Sequence, residues 1–408
     1  MQRWTRLAPL AAAAALLAGC AIVQRPAPPP KPSRVPVPRH GITRRPPSPP
    51  SIPVAQERLA VLLPMTGPLG AAGDSVRDGF LTAYYQAPSG ERPVVRLYDT
   101  GAGQPIPEIL ARASRAGASL IVGPLTRGAV VAAAADSQPR PPLLALNFLP
   151  AGDRAPPRFF QFALSPTAEA RMVARRVLAD GHRVGIAIVP KGPWGTRVLN
   201  AFTEQLRAGG GSVLASRRID VSRADFSNAI EGALLIEQSR ERLRHLESLL
   251  GMRLAFTLRR RADVQFIFAP APPGTERLLM PQLRYYYAGG VATYSTSEGF
   301  APDPAANQDL DGLRFPDMPW MLGGSLAQAV REAADHAWPA GGPDRGRLFA
   351  FGFDAYRLAV SLLRSRAPDG LELDGLTGRL NLGADGRIDR RLEWAQLENG
   401  EARLLPPP

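Results

Sequence analysis

The chain has 408 residues, 45% of them hydrophobic, and a formal net charge of +13 at pH 7. Its length suits one large or two medium domains, and its single cysteine, Cys20, excludes an intrachain disulfide and a cysteine-rich metal site. The charge does not indicate nucleic-acid binding, because the first 55 residues carry eight basic and no acidic residues, which leaves +5 for residues 56–408.

Residues 1–20 have the parts of an export signal. Arg3 and Arg6 supply a positive start, and the stretch 7–18 is apolar but shorter than the ~20 residues of a membrane span, which predicts a signal peptide over 1–19. The Leu-Ala-Gly-Cys that ends at Cys20 resembles the lipobox of bacterial lipoproteins, which implies cleavage before Cys20 and its acylation. Ala21 is not the aspartate of an inner-membrane retention signal, so we expect an outer-membrane anchor that faces the periplasm. A secretory signal with an accidental cysteine is the alternative.

Residues 20–55 are predicted to be a disordered tether. After Cys20 they hold twelve prolines and six positive charges, and proline disfavours both helix and sheet. An extended, polyproline-like chain rises ~3.1 Å per residue, so this segment reaches at most about 110 Å. We interpret it as a spacer; contact of its arginines with anionic lipid or cell-wall polymer is the sharper alternative.

From residue 58 onward, short apolar runs alternate with helical patterns. Strands are predicted near 59–64, 94–98, 120–124, 143–147 and 159–164, with helices between them. The same alternation restarts at Pro166, with strands at 183–189, 212–219, 264–269 and 290–294, and one unusually long helix over 225–250. A helix over 347–363 and a strand pair, 377–382 and 387–396, around the Asp385-Gly386 turn complete the chain. This pattern predicts an α/β fold of two lobes, each a doubly wound, mostly parallel sheet.

Eight segments in a fixed order carry a more specific likeness. They are LAVLLPMTGPLGAAGDSVRDGFLTAYY (59–85), LIVGPLTR (120–127), LALNFL (144–149), FFQFALSP (159–166), RVGIAIVPKGPWGTRVLNAF (183–202), LRRRADVQFIF (258–268), PQLRYYYAG (281–289) and AFGFDAYRLA (350–359). They resemble the type I periplasmic-binding-protein fold and, within it, the penicillin-binding-protein activator lipoproteins (LpoA type, LppC family). The resemblance implies a two-lobed, Venus-flytrap architecture. We expect lobe 1 over 56–165 and 298–365, and lobe 2 over 166–297 and 366–405.

The resemblance implies an outer-membrane lipoprotein that binds and activates a class A penicillin-binding protein, the synthase that makes peptidoglycan. Enterobacterial activators carry a helical-repeat domain before this module, where the present chain has its proline-rich tether, so functions of that domain are not carried over. A periplasmic solute receptor for an amino acid or peptide is the alternative. A cell-wall hydrolase is disfavoured because no acid/base pair is evident.

Ligands of doubly wound sheets lie beyond the carboxyl ends of the strands. This rule predicts a candidate cleft lined by residues that follow those strands: Thr66, Gly67, Gly123, Leu125, Thr126, Asn147, Lys191, Trp194, Gly195, Tyr294 and Ser297. The competing interpretation is that these residues form turns and pack the lobes of a module without a small-molecule ligand. Leu125 stands where amino-acid binders usually have a small hydroxyl residue, which favours that interpretation.

The basic run Arg259, Arg260 and Arg261 is a candidate partner contact, either for an acidic patch on the enzyme or for peptidoglycan carboxylates; a solvated edge is the alternative. Three tyrosines, 285–287, fall on a predicted helix, and tyrosine is enriched in interfaces. No histidine has a second ligand at metal spacing, and neither a nucleophile elbow nor a phosphate-binding loop occurs. We therefore expect a non-enzymatic protein without metal or cofactor.

Overall fold

The structure, a computed structural model, describes residues 57–257, 259–337, 345–365 and 370–407. The predicted signal peptide, Cys20 and the tether lie outside the described residues. Ala55–Pro408 form one unit by their internal contacts. Among the described helices, none is long and apolar enough to cross a bilayer.

The first lobe is built on a five-stranded parallel sheet. Its strands are β1 (Arg58–Leu63), β2 (Val94–Asp99), β3 (Leu120–Val122), β4 (Leu143–Ala145) and β5 (Phe159–Gln161), in the spatial order β2-β1-β3-β4-β5. The connecting helices are α1 (Gly70–Gln86), α2 (Ile106–Arg115) and α3 (Arg127–Ala135). β1 is buried along Leu59–Leu63, as its continuous apolar run predicts for a central parallel strand.

A long helix from late in the sequence, α11 (Arg347–Arg364), completes the first lobe by packing against α1. Two glycines let the helix backbones touch: a Cβ on Gly79 would lie 1.9 Å from the Phe349 carbonyl oxygen, and a Cβ on Gly352 equally close to that of Val76. The α1–α11 contact therefore requires glycine at both positions, because real Cβ atoms do not approach so closely.

The second lobe contains a seven-stranded mixed sheet. Its strands are β6 (Val184–Pro190), β7 (Ser212–Ile219), β8 (Phe266–Phe268), β9 (Ala292–Tyr294), β10 (Leu313–Asp317), β14 (Glu393–Glu398) and β15 (Glu401–Leu405), in the order β15-β14-β10-β9-β8-β6-β7. Its helices include α4 (Pro166–Ala179), α5 (Pro193–Ala208) and α8 (Pro273–Tyr285). β10 lies within 298–365, the range expected for lobe 1, but pairs here in parallel with β9.

The C-terminal strands depart from the sequence prediction. The predicted strand 387–396 is two strands: β13 (Ile388–Arg391) pairs with β12 (Gly378–Leu382) in a small sheet that also holds β11 (Glu372–Gly375), whereas β14 crosses to the seven-stranded sheet. The small sheet packs its Leu380 and Ile388 into the core of the first lobe. The chain thus changes lobes at Leu392, and the small sheet lies in the range 366–405 that was expected for lobe 2.

The predicted long helix 225–250 is wrong. It is two helices, α6 (Ser227–Leu234) and α7 (Ile236–Leu250), separated by Leu235 in the left-handed conformation. The carbonyl of Leu234, which a continuous helix would bond internally, accepts the Arg261 N–H at 3.0 Å. Tertiary pairing therefore interrupts a periodicity that looked continuous. The remaining helices are α9 (Pro319–Leu322) and α10 (Ser325–Ala337).

Candidate functional site

In the first lobe, the loop after β1 is fixed by a carboxylate at the end of β2. Asp99 Oδ1 accepts the N–H groups of Met65 and Gly101 at 2.8 and 2.7 Å, and Asp99 Oδ2 accepts the Thr66 hydroxyl at 2.6 Å. The Thr66 hydrogen bond, aided by the backbone ones, holds the pKa of Asp99 below its ordinary value. Thr66 and Gly67 thus stand at the predicted edge, with the Thr66 proton directed at Asp99.

The loops after β3 and β4 meet, as the carboxyl-end rule predicts. Asn147 Nδ2 donates to the Leu125 carbonyl at 3.0 Å, and its Oδ1 accepts the Phe148 N–H at 2.9 Å. The Thr126 hydroxyl caps α3 by accepting the Ala129 N–H at 3.3 Å. Gly123 has a φ of +99° and lies against Leu62, where a Cβ would be 2.2 Å from the carbonyl oxygen. These polar groups are engaged with the loops themselves.

In the second lobe, the turn between β6 and α5 holds three more predicted residues. Lys191 is exposed, and its N–H donates to the Ile219 carbonyl at 2.8 Å. Trp194 is half-buried against the lobe core. Gly195 is buried, and a Cβ there would lie 2.1 Å from the Pro190 carbonyl oxygen. Of these three residues, Lys191 is the exposed one.

Tyr294 does not line a cleft. Its side chain is fully buried in the lobe core, and its hydroxyl donates to Asp180 Oδ2 at 2.6 Å, while Arg314 Nη1 donates to the hydroxyl at 3.2 Å. Burial, followed by the hydrogen bond to Asp180, raises the pKa of Tyr294. The sequence placed its Cα correctly at the end of β9, but strand alternation turns the ring into the core.

Ser297 begins a buried polar junction between the lobes. Its hydroxyl and N–H donate to Glu169 Oε2 of α4 at 2.7 and 3.2 Å, and its carbonyl accepts Arg347 Nη2 of α11 at 2.7 Å. Arg347 also forms a two-bond ion pair with the buried Asp317 at the end of β10, with Nε–Oδ1 at 3.1 Å and Nη2–Oδ2 at 2.5 Å. α11 belongs to the first lobe and β10 to the second, so this pair joins them.

A second bridge comes from the small sheet. Arg390 of β13 lies 3.4 Å from Glu169 Oε1 and donates to the Thr377 carbonyl at 3.3 Å. Thr377 in turn donates its hydroxyl and N–H to Asp354 Oδ2 of α11 at 2.6 and 2.7 Å. We call Glu169, Ser297, Asp317, Arg347, Asp354, Thr377 and Arg390 the lobe junction.

Burial dominates the electrostatics of the lobe junction. It raises the pKa of Asp317 to about 6, against the charge of Arg347, and raises the pKa of Asp354 despite the Thr377 hydrogen bonds. It lowers the pKa of Arg390, opposed by the charges of Glu169, Asp317 and Asp354. Separating the lobes would leave Asp317 without Arg347 and Glu169 without Arg390, so these two ion pairs oppose separation.

Sequence reasoning missed every charged member of the lobe junction. One signal was visible: Asp354 interrupts the apolar run from Phe349 to Tyr356, and a carboxylate in a buried helix face requires hydrogen-bond donors. Nothing in the sequence identifies its donors, the Leu376 and Thr377 N–H groups and the Thr377 hydroxyl, because they lie 22 and 23 residues later in the chain.

One further carboxyl lies below the carboxyl end of the second sheet. Glu276, in the first turn of α8, is fully buried; its Oε1 accepts the Ser295 hydroxyl and, at 3.1 Å, the Ala271 N–H. Oε2 has no hydrogen-bond partner among the described residues. Burial raises the pKa of Glu276 to about 8, although these two hydrogen bonds lower it. The group is therefore a neutral acid at neutral pH.

The fold places the basic run, residues 259–261, beside the three tyrosines, residues 285–287. Arg260 Nε donates to the Tyr287 carbonyl at 3.0 Å, and Arg261 forms two 2.7 Å bonds with Asp263, whereas Arg259 is exposed. α8 ends at Tyr285, so Tyr286 and Tyr287, which were predicted to be helical, lie beyond its end. Tyr286 is buried and the other two tyrosines are exposed.

Two surface cavities, of about 240 and 220 Å³, lie elsewhere: no predicted cleft residue lines either. In the described part of the chain, no group of three or more histidine, cysteine, aspartate and glutamate side chains could hold a metal ion. The candidate site therefore consists of ordered loops and a buried ionic contact between the lobes.

Comparison with known proteins identifies relatives along this whole region. The Penicillin-binding protein activator LpoA of Photobacterium profundum is 29% identical over 354 residues, covering 85% of this chain and 56% of that protein. The protein of the same name from Edwardsiella piscicida is 30% identical over 348 residues, covering 82% and 48%. The chain thus spans about half the length of these curated relatives.

Solved structures confirm the predicted fold. The C-domain of LpoA from Haemophilus influenzae, described as a regulator of PBP1A, superposes with a TM-score of 0.66 at 23% identity, covering 86% of this chain and all of that domain. A putative branched-chain amino acid ABC transporter protein from Chromobacterium violaceum gives 0.63 at 26% identity, covering 84% and 100%. The two-lobed, type I periplasmic-binding-protein-like architecture is therefore shared by both kinds of protein.

A family model described as "LppC putative lipoprotein" matches residues 53–400, which include both lobes. This match confirms the family resemblance found in the sequence. Since it covers well over half of the chain, the protein belongs to the LppC family of putative lipoproteins.

Proposed function

We propose that this chain is an outer-membrane lipoprotein, anchored through Cys20 and facing the periplasm, that activates a class A penicillin-binding protein by contact and without catalysis. One observation carries the proposal: the whole two-lobed body is similar to proteins named penicillin-binding protein activators. The Haemophilus domain of the same fold is described as a regulator of PBP1A. These relatives are named as regulators, which favours a binding role.

The lobe junction supports this proposal over a solute receptor. Receptors of this fold close around a ligand by a hinge motion, which needs lobes that separate at low cost. Here Arg347–Asp317 and Arg390–Glu169 join the lobes through buried charges. The loops at the predicted cleft direct most of their polar groups at one another, and Leu125 adds no hydroxyl.

The test is a synthase assay with the full-length, acylated chain in detergent micelles. We expect the chain to bind a purified class A penicillin-binding protein and to raise its rate of glycan polymerisation or cross-linking, while an amino-acid receptor of the same fold does neither. Absence of both binding and stimulation would refute the activator proposal. A thermal shift with free amino acids or short peptides examines the alternative, because a tight ligand raises the melting temperature by mass action.

The anchor is tested separately with Cys20→Ser. Acyl chains contribute ~0.8 kcal/mol per buried methylene, so their loss should release the protein from membranes. We expect the variant in the soluble periplasmic fraction with an unchanged melting temperature. If Cys20→Ser still fractionates with the outer membrane, the thiol is not the anchor.

A further inference from the structure

The second lobe exposes a cluster of large apolar side chains at the end of α7. Leu246, Leu249 and Leu250 stand on the last turns of the helix, and Met252 and Phe256 on the segment that returns from it; we call these five residues the apolar tip. Leu249 is 68% and Met252 60% exposed. Single exposed apolar residues are ordinary, but five within eleven residues are a local concentration of exposed apolar side chains, and such concentrations mark interaction sites.

The apolar tip is held in shape by the body. α7 begins with the buried residues Ile236 and Ser239, so its first turn is anchored while its end projects. The Leu254 N–H donates to Glu247 Oε1 at 3.0 Å, which fastens the returning segment alongside the helix. Residues three and four apart share a helix face, so Leu246, Leu249 and Leu250 present one surface.

Three arginines around the apolar tip carry uncompensated charge. Arg242, Arg253 and Arg259, which we call the arginine rim, are exposed and form no ion pair within the described residues. Their neighbours are satisfied, because Arg240 and Arg244 pair with Glu237, and Arg261 pairs with Asp263. Glu237, Glu241 and Glu247 are the carboxylates of α7. Over residues 236–263 the sequence has seven arginines against four carboxylates, so the local excess of charge is positive.

The composition favours a folded protein as the occupant. Interfaces between proteins are enriched in arginine, methionine and aromatic residues, and an amphipathic helix commonly fits an apolar groove through anchors three, four and seven residues apart. Guanidinium groups pair with carboxylates through two hydrogen bonds. Arg260 connects this surface to the exposed Tyr285 and Tyr287 by its bond to the Tyr287 carbonyl.

We infer that the apolar tip and the arginine rim are the surface by which this chain docks into an apolar groove bordered by carboxylates on its protein partner. The inference rests on the proposed function, in which that partner is a class A penicillin-binding protein. It adds where the contact is made and what chemistry the partner must present.

The experiment compares full-length, acylated wild type with the Leu249→Asp/Leu250→Asp variant for binding to a purified class A synthase and for stimulation of it. Two anchors lost from an interface centre should weaken binding by about 100-fold. Leu278→Asp is the control, because Leu278 is also an exposed helical leucine, on α8; it is 43% exposed, against 68% for Leu249 and 59% for Leu250. Arg253→Glu should weaken binding about tenfold and reduce its dependence on salt.

The outcomes separate this inference from the proposed function. If wild type binds and stimulates the synthase and the tip variant does so equally well, the docking surface is wrong and the proposed function stands. If wild type neither binds nor stimulates, both are refuted. Two other occupants of the apolar tip are tested with the same variant: phosphatidylglycerol vesicles, using unacylated Cys20→Ser protein, and a second copy of the chain, using sedimentation. If the tip variant abolishes vesicle binding or dimerisation but leaves synthase binding unchanged, the inference is also overturned. A photo-crosslinking residue in place of Met252 gives a readout without the aspartates, and it should attach to the synthase next to acidic residues.

Discussion

The lobe junction and the apolar tip place opposite kinds of side chain in an unfavourable environment. At the lobe junction, charged groups that prefer water are buried, and each is compensated by partners from another segment: Asp317 by Arg347, and Glu169 by Ser297 and Arg390. At the apolar tip, side chains that prefer burial are exposed, and arginines beside them lack carboxylates within the described residues. We therefore relate the buried lobe junction to the rigidity of the molecule and the exposed apolar tip to recognition of a partner.

Under the proposed function, this difference explains how a fold shared with transport receptors suits a protein that acts by contact. A receptor uses the space between its lobes, and its ligand stabilises the closed form. Here the described inter-lobe ion pairs join the protein's own side chains, so they form without a ligand. A lobe held at a fixed angle presents its outer surface in one orientation, which reduces the entropy lost when a partner binds.

The largest expected effect comes from breaking the lobe junction with Arg347→Met. The substitution leaves Asp317 buried with the Met318 N–H as its remaining donor, and breaking a buried ion pair costs about 3–5 kcal/mol of unfolding free energy. Urea unfolding measures the loss. The loss should shrink as the pH falls toward 6 and be smallest below it. Arg347 lowers the pKa of Asp317, which is about 6 with the pair intact, so this pKa is higher in the variant, and protonation there removes the unpaired charge.

The matched control for that substitution is Arg379→Met. Arg379 pairs with Glu372 at 3.0 Å, but both side chains are more than half exposed, so solvent screens the pair. Its loss should cost less than about 1 kcal/mol. Equal losses from Arg347→Met and Arg379→Met would contradict the assignment of the lobe junction as a buried ionic contact.

The next effect is a pH dependence caused by Glu276. Its folded-state pKa of about 8 lies above the ordinary value of 4.5, so the folded state binds a proton more tightly than the unfolded chain. Stability from this group is complete below pH 4.5 and is lost as the pH rises toward 8, by an amount on the order of a few kcal/mol. Glu276→Gln removes this loss.

This pH dependence is tested by measuring the melting temperatures of wild type and Glu276→Gln at pH 5, 6.5 and 8. The two curves should diverge with rising pH, and the variant should be the more stable protein at pH 8. The contribution of Asp317 between pH 3.8 and 6 is common to both proteins and cancels. Parallel curves would show that Glu276 does not titrate in this window.

The smallest effect is expected at the apolar tip. Leu250→Ser replaces a side chain that is 59% exposed, so it should change the unfolding free energy by no more than about 0.5 kcal/mol, whereas a buried leucine truncated in the core costs about 2–5 kcal/mol. Leu279→Ala, at a fully buried leucine of α8, supplies that comparison in the same unfolding assay. A loss of several kcal/mol from Leu250→Ser would mean that the apolar tip is a structural contact.

Much of the candidate site could be predicted one loop at a time. The carboxyl-end rule brought Leu125 and Asn147 into contact and placed Thr66 beside the end of β2. It was wrong for Tyr294, because the direction of a side chain depends on which face of the strand meets the core. It located Ser297 without its role, which depends on Glu169 and Arg347 at sequence distances of 128 and 50 residues. The β14–β15 hairpin was missed although Asn399-Gly400 is a strong turn signal, with both residues at positive φ.

The sequence by itself determined the alternation of strands and helices, the two sheets and the family, because apolar periodicity and short motifs are local properties. The tertiary structure decided the break at Leu235, the crossing of β10 and β14 into the second sheet, and the lobe junction. These features depend on partners remote in the chain, and a residue's own neighbours do not specify which distant backbone group or charge will meet it. Distant parts of the chain also decide whether a leucine is buried or exposed. The apolar tip could therefore be recognised only in the tertiary structure.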